Sequence, residues 1–488
     1  MNNNKAQSSA ANRSVALSAL LLALCLCGIS GMASADYRVI IRLLGQDAAA
    51  SDNAALAQAV TELGERTRSR LVLLRQSGRD ALLLSAPDIA TAADRNALLD
   101  RLRADTRVDY AIADRRARVQ FVPNDPLYLD QWNLYEDAGG IRMPAAWDVE
   151  RGRQGIVTAV IDTGYLPHAE LDLARFLPGY DFLSDVFNDN DGTLGRDADP
   201  TDPGDASLEN ECGDGGDATR SSWHGLSIIG VVAATTDNAL DIAGIDHRGR
   251  ILVARALGKC GGLTSDIIDA MRWAAGLKVA GVPLNPNPAR VVNLSAGSYD
   301  VCSVFEQDAI DEVVGRGVSV VVAAGNDAAS VNSTSPANCN QVITVAATNR
   351  SGARSGYTNT GGRVDISAPG GAGTDAIPVL YNTGTTDPAD DTVAYALGTS
   401  YAAAQVTGVV ALMLARNAEL SPAQVEQILK TSARPFPDAS CDTTTCGAGI
   451  VDAKRAVAIA ATTQPEIPTP VEPAVGNGGG GGGGGGGG

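Results

Sequence analysis

Gly155-Ile156-Val157-Thr158-Ala159-Val160-Ile161-Asp162-Thr163-Gly164 is the stretch that decides the fold. From Gly155 to Ile161 it is apolar and β-branched, and it ends at a turn signal, so it reads as a short strand buried on both faces. Similar runs follow at Arg250 to Arg255, Val291 to Ser295, Val318 to Ala324 and Val342 to Ala346, with helical stretches between them. That alternation predicts an α/β domain of three layers, a parallel sheet covered by helices on both faces. Open sheets of this kind bind ligands outside the carboxyl ends of their strands. Asp162, closing the first run, therefore stands where chemistry is expected, although alone it reads first as a carboxylate capping the next element.

Two later segments change its company. Ser222-Trp223-His224-Gly225 precedes the apolar stretch Leu226 to Ala234, which reads as a buried helix with a histidine held at its start. Gly398-Thr399-Ser400-Tyr401-Ala402-Ala403 opens a stretch to Leu414 that is apolar almost all round, as in a central helix. A serine there is ordinarily an N-cap. The small neighbours Gly398, Ala402, Ala403 and Ala404 instead leave room for a substrate backbone, and a helix N-terminus favours developing negative charge. Aspartate, histidine and serine are what a nucleophilic hydrolase needs, because a hydroxyl attacks only when a base takes its proton and a carboxylate orients that base. Asn326, at the end of the strand-like Val320 to Gly325, is placed to offer an amide to an oxyanion, or is an ordinary turn residue.

In this order the segments resemble the subtilisin-like serine proteases, over roughly Asn124 to Ala460. The resemblance implies that Asp162, His224 and Ser400 form a catalytic triad, and that Asn326 is the side-chain donor to the oxyanion. It further implies that Ser295-Ala296-Gly297 and the loop around Cys260-Gly261-Gly262 pair with the substrate backbone. The family usually has Gly-Thr-His-Val-Ala-Gly after the histidine, where this chain has Gly225-Leu226-Ser227-Ile228-Ile229-Gly230. After the serine it usually has Met-Ala-Ala-Pro-His, where this chain has Tyr401-Ala402-Ala403-Ala404-Gln405. No triad member is replaced, so the expected activity is a serine endopeptidase acting on proteins or peptides. The rival expectation is a binding or scaffold protein on a protease fold with weakened catalysis. An esterase would carry Gly-x-Ser-x-Gly around Ser400, and it does not.

Outside this domain the chain reads in three parts. Lys5 and Arg13, the apolar run Val15 to Ile29 and the small residues Ala33-Ser34-Ala35 make residues 1–35 a removable signal peptide, which predicts secretion. Residues 36–120 follow a β-α-β-β-α-β order, a split βαβ unit. Between a signal peptide and a protease-like domain, that unit is expected to be a propeptide that assists folding and blocks the active site. The peptidase domain spans 121–463, with self-cleavage expected near Phe121 to Pro126, and a tail rich in proline and glycine occupies 464–488.

Composition narrows the partners. Of 488 residues, 44% are hydrophobic and the formal net charge is −18. Without a Lys/Arg cluster there is no footprint for nucleic acid or an anionic membrane, and a monomer is expected. Removing Cys25 and Cys27 with the signal leaves six of the eight cysteines. Their spacing suggests Cys212 with Cys260, Cys302 with Cys339 and Cys441 with Cys446, one of fifteen possible connectivities. The absence of Cys-x-x-Cys argues against zinc. The acidic loop with Asp189, Asp191, Asp197, Asp199 and Asp202 suits calcium, which many subtilisin-like proteases use to hold surface loops, or is simply solvated. The specificity pocket is expected between Ala296-Gly297 and the loop Ser333 to Pro336.

Overall fold

The computed structural model describes residues 37–45, 52–78, 80–115, 121–193, 195–213 and 215–466. The signal peptide expected over 1–35 and all but the first three residues of the tail expected over 464–488 lie outside them. The chain forms two compact units divided after Val119.

The first unit holds β1 (Tyr37–Leu43), α1 (Asn53–Thr67), β2 (Val72–Ser77), β3 (Ala81–Ala86), α2 (Ala92–Ala104) and β4 (Val108–Ala113). Its sheet has the order β2-β3-β1-β4, and β1 pairs antiparallel with both β3 and β4. Leu56, Val60 and Leu63 recur at helical spacing on α1 and meet Val39 and Ile41 of β1 and Leu82 and Leu84 of β3. A capping box between Thr91 and Asp94 starts α2. Strand β4 ends at Ala113, and residues 116–120 are outside the described set.

In the second unit seven parallel strands stand in the order β11-β10-β9-β8-β5-β7-β6. They are β5 (Val157–Asp162), β6 (Phe176–Asp181), β7 (Arg250–Arg255), β8 (Val291–Leu294), β9 (Ser319–Ala323), β10 (Ile343–Thr348) and β11 (Ile366–Pro369). The period of two along β5 divides two cores: Val160 faces one, while Ala159 and Ile161 face the other. The first core packs α3 (His224–Ala233) and α6 (Thr399–Arg416). The second packs α4 (Thr264–Ala274) and α5 (Val304–Gly315). An antiparallel hairpin, β12 (Ile377–Asn382) with β13 (Asp391–Ala396), lies over α3, and α7 (Pro422–Ser432) and α8 (Ala453–Ala460) close the chain.

Seventeen residues of α6 are buried, from Thr399 to Ala415. Gly408 permits that depth, since a β-carbon there would stand 2.6 Å from Ile245. Strand β5 is hydrogen-bonded to β7 on one side and β8 on the other. The chain reverses its direction of travel across the sheet at this point, opening a crevice at the carboxyl end of β5.

The sequence reading missed β6, β11 and the hairpin. Strand β6 carries Pro178 and Gly179 and shifts register between Leu177 and Tyr180, which its place at the sheet edge tolerates.

Candidate active site

Asp162 is the last residue of β5, His224 the first of α3, and Ser400 lies in the first turn of α6. Asp162 is wholly buried, and its Oδ1 lies 2.7 Å from His224 Nδ1 while also accepting the Thr163 amide at 2.8 Å. A carboxylate only accepts, so Nδ1 carries the hydrogen and Nε2 of the neutral ring keeps its lone pair. Burial disfavours the histidine cation. The adjacent Asp162 carboxylate, with Asp205 and Asp202 behind it, outweighs burial and leaves the His224 pKa above its ordinary 6.5.

A second connection, which the sequence did not reveal, holds the histidine in place. Thr163 Oγ1 accepts the Gly225 amide at 3.0 Å and donates to Asp202 Oδ2 at 2.7 Å. Asp202, read as a metal ligand, thus supports the end of β5, and burial raises its pKa to about 6. Gly225 has to be glycine because a β-carbon would stand 2.1 Å from the Gly164 carbonyl oxygen. Trp223, fully buried at φ 47°, turns the chain into α3, with its indole donating to the Gly384 carbonyl at 2.9 Å.

Gly398, not Ser400, is the N-cap of α6. Among the described residues, the Ser400 hydroxyl has one hydrogen bond, a donation to the Ser295 carbonyl at 3.4 Å. Asn326 Oδ1 accepts both the amide and the hydroxyl of Thr399, each at 2.9 Å. The Thr399 N–H can only donate, so the oxygen of the Asn326 amide is assigned and its Nδ2 remains for another acceptor. The Ser400 amide, in the first turn, has no partner four residues back.

Ser400 and Asn326 open onto a cavity of about 410 Å³, which Ser295, Ala296, Gly297, Gly261 and Gly262 also line. The His224 ring lies 6.1 Å from the ring of Tyr401, the residue that follows Ser400. The disulfides brace this arrangement. Cys212–Cys260 ties the approach to His224 to the Gly261-Gly262 loop, Cys302–Cys339 joins the start of α5 to the 334–336 wall, and Cys441–Cys446 closes a short loop. The departures from the family pattern are absorbed inside. Gln405 is buried and donates to the Pro369 and Tyr401 carbonyls, while Leu226, Ile228 and Ile229 pack within the first core.

The acidic residues divide. Asp189 and Asp191 come within 4.8 Å of Asp181, a cluster the sequence reading did not name in full. The Arg255 guanidinium bonds Asp181 and Asp189 there and supplies positive charge. Asp197 and Asp199 do not join the cluster: they accept the amides of Asp199 and Thr201, at 2.7 and 3.1 Å. A second acidic site was missed altogether. Glu170 is fully buried; neither carboxylate oxygen has a well-formed hydrogen bond, and only the Asn238 side chain beside it favours its charge. Burial, followed by the nearby Asp241 and Asp125 carboxylates, pushes its pKa to about 8. Asp125 itself accepts the amides of Asp237 and Asn238, so the start of the unit is sewn to the loop after α3.

Comparison with known proteins gives the family of the chain. The model of the Subtilase family matches residues 153–458. An extracellular protease of Xanthomonas campestris pv. campestris is 44% identical over 379 residues, 78% of this chain and 64% of that protein. An extracellular basic protease of Dichelobacter nodosus is 37% identical over 392 residues, 79% of this chain and 64% of that protein. The chain thus spans 64% of the length of each of these two curated relatives. A solved structure of proteases from Pseudoalteromonas arctica has 47% identity and a TM-score of 0.67, covering 70% of this chain and all of that one.

Proposed function

The chain belongs to the Subtilase family, and from that premise we propose that it is a secreted serine endopeptidase made as a self-processing preproenzyme. Ser400 Oγ attacks the scissile carbonyl, His224 Nε2 takes its proton and returns it to the leaving amine, and Asp162 holds the imidazole and stabilises its cation. The Asn326 side-chain amide and the Ser400 N–H bind the oxyanion. The observation that carries the reading is the 2.7 Å contact of Asp162 with His224 Nδ1; Ser400 and Asn326 line one cavity together. The Ser400 hydroxyl reaches the imidazole when substrate binds, because catalytic hydrogen bonds of free enzymes commonly tighten only in the complex.

The first unit acts as propeptide, a chaperone and inhibitor of the second. Cleavage falls just ahead of Phe121. From there the chain is anchored in the catalytic unit: the Phe121 ring packs edge-on to Trp147 at 5.8 Å, and its amide donates to Asp148 at 3.2 Å.

Calcium fits the buried oxygens. Asp181, Asp189 and Asp191 bring oxygens within 4.8 Å of one another, but Arg255 already balances charge there; Glu170, buried near the Asp241 and Asp125 carboxylates, has only the Asn238 side chain to favour its own charge. Bound there, the ion would supply no chemistry to catalysis and would neutralise the buried acids, fixing the loop 235–241.

The reading is tested by expressing residues 36–463 as wild type and as Ser400→Ala, and comparing intact mass and casein hydrolysis. The wild type is expected to lose its first unit and digest casein, and the variant to stay full-length and inert. Casein hydrolysis undiminished in the variant would overturn it.

A further inference from the structure

The cavity beside Ser400 contains an acid that the catalytic steps do not use. Glu306 lines it from the first turn of α5, where it is only 8% exposed. It is the N3 residue of a capping box, and its Oε2 accepts the Ser303 amide at 2.9 Å and the Ser303 hydroxyl at 2.7 Å. A capping glutamate ordinarily ends its role there, at the solvent-facing start of a helix. Here Oε1 turns inward and accepts the Ser335 hydroxyl at 2.6 Å. Ser335 belongs to the cavity wall, since its amide and carbonyl bridge Ser298 at 3.0 and 2.9 Å.

From these contacts we infer that this cavity is the pocket for the side chain preceding the scissile bond, and that Glu306 makes it select a basic residue, lysine ahead of arginine. The inference rests on the endopeptidase reading. Three donors fix the carboxylate and the positive end of α5 favours its charge, while no cation pairs with it among the described residues. No lysine or arginine lines the cavity, and a second acid, Asp327, stands at its exposed rim beside the Tyr299 hydroxyl. A carboxylate has about four acceptor positions, of which three are filled, so a single donor remains to be met. An ammonium is a point donor and suits one open position, whereas a guanidinium is best matched by two. Met271, Leu294 and Ile310 supply apolar walls for the methylene stem. Access is a slot, because a β-carbon on Gly297 would stand 2.9 Å from the Ser335 carbonyl oxygen.

Those apolar walls would also accept phenylalanine or leucine, so the acid decides between the two classes. The test is a series of peptide p-nitroanilides identical except for Lys, Arg, Phe, Leu or Glu before the cleaved bond, with processed wild type, Glu306→Gln and Asp327→Asn. Glutamine keeps the capping box, and thermal unfolding of each variant checks its fold. Wild type is expected to favour Lys over Phe in kcat/KM, with Glu poorest. Glu306→Gln is expected to lower the Lys-to-Phe ratio by about 10–100-fold, the value of a hydrogen bond to a charged group, and Asp327→Asn by less. Preference of the wild type for Phe or Leu, or a Glu306→Gln ratio equal to that of wild type, would overturn the inference and leave the protease reading standing. A wild type that cleaves neither these peptides nor casein would instead bring down the protease reading.

Discussion

His224 is where charge and catalysis are coupled. It serves as base only when neutral, and its pKa is raised above 6.5 by Asp162 against the opposing effect of burial. Activity is therefore absent below that raised pKa and rises through it, so the acid limb of kcat/KM against pH is expected to have its midpoint above 6.5. Asp162→Asn removes the cause of the rise and inverts the tautomer preference. Its kcat is expected to fall by about 10⁴-fold, with the residual acid limb displaced to lower pH. A limb unmoved by the substitution would detach His224 from the mechanism. Asn326→Ala is expected to lower kcat by about 10²–10³-fold with little change in KM, the loss known for such a donor in subtilisin. Asp162, His224, Ser400 and Asn326 were legible because each stands where a strand or helix period stops. Thr163 and Asp202 were not, since they meet across 39 positions by one hydrogen bond, and no periodicity encodes such a contact.

At the scale of elements, the junction of β5 with α3 determines whether the histidine meets its carboxylate. Thr163 Oγ1 serves both the Gly225 amide and the Asp202 carboxylate. Thr163→Val preserves shape and leaves both groups buried without that partner, at a cost of about 1–3 kcal/mol for each unsatisfied group. Urea unfolding is expected to show the loss, and kcat to fall although no reacting group has changed. Full stability together with full kcat would contradict this positioning role. The central strands were readable because burial on both faces makes them apolar throughout, as in Val291–Leu294 and Ser319–Ala323. Strand β13 is exposed or half-exposed along its whole length, and β6 carries proline and glycine, so neither presents that pattern.

Over the whole molecule, the sequence reading places the acidic residues that suit calcium in a single loop. The structure instead distributes acidic charge among a support for β5 at Asp202, an arginine-balanced cluster at Asp181, Asp189 and Asp191, and the buried Glu170. Sequence could not separate these roles, because Asp125 and Glu170 meet the loop after α3 only in the folded chain. Calcium at roughly 100 times its dissociation constant is expected to stabilise the processed protein by about 2.7 kcal/mol, and a chelator to reverse the gain in a thermal melt. Above about pH 8, where Glu170 is ionised, Glu170→Gln removes a buried charge. Without calcium it is expected to melt above wild type, and to gain little when the ion is added. An unchanged calcium response in that variant would move the ion elsewhere. The central claim, that Ser400 is a nucleophile activated by His224 and Asp162, is tested most directly by treating folded wild-type protein with a fluorophosphonate and mapping the adduct by mass spectrometry. The account predicts one adduct, on Ser400, formed far more slowly when His224 is replaced by alanine. No adduct on folded protein, or an adduct on another residue, would contradict it.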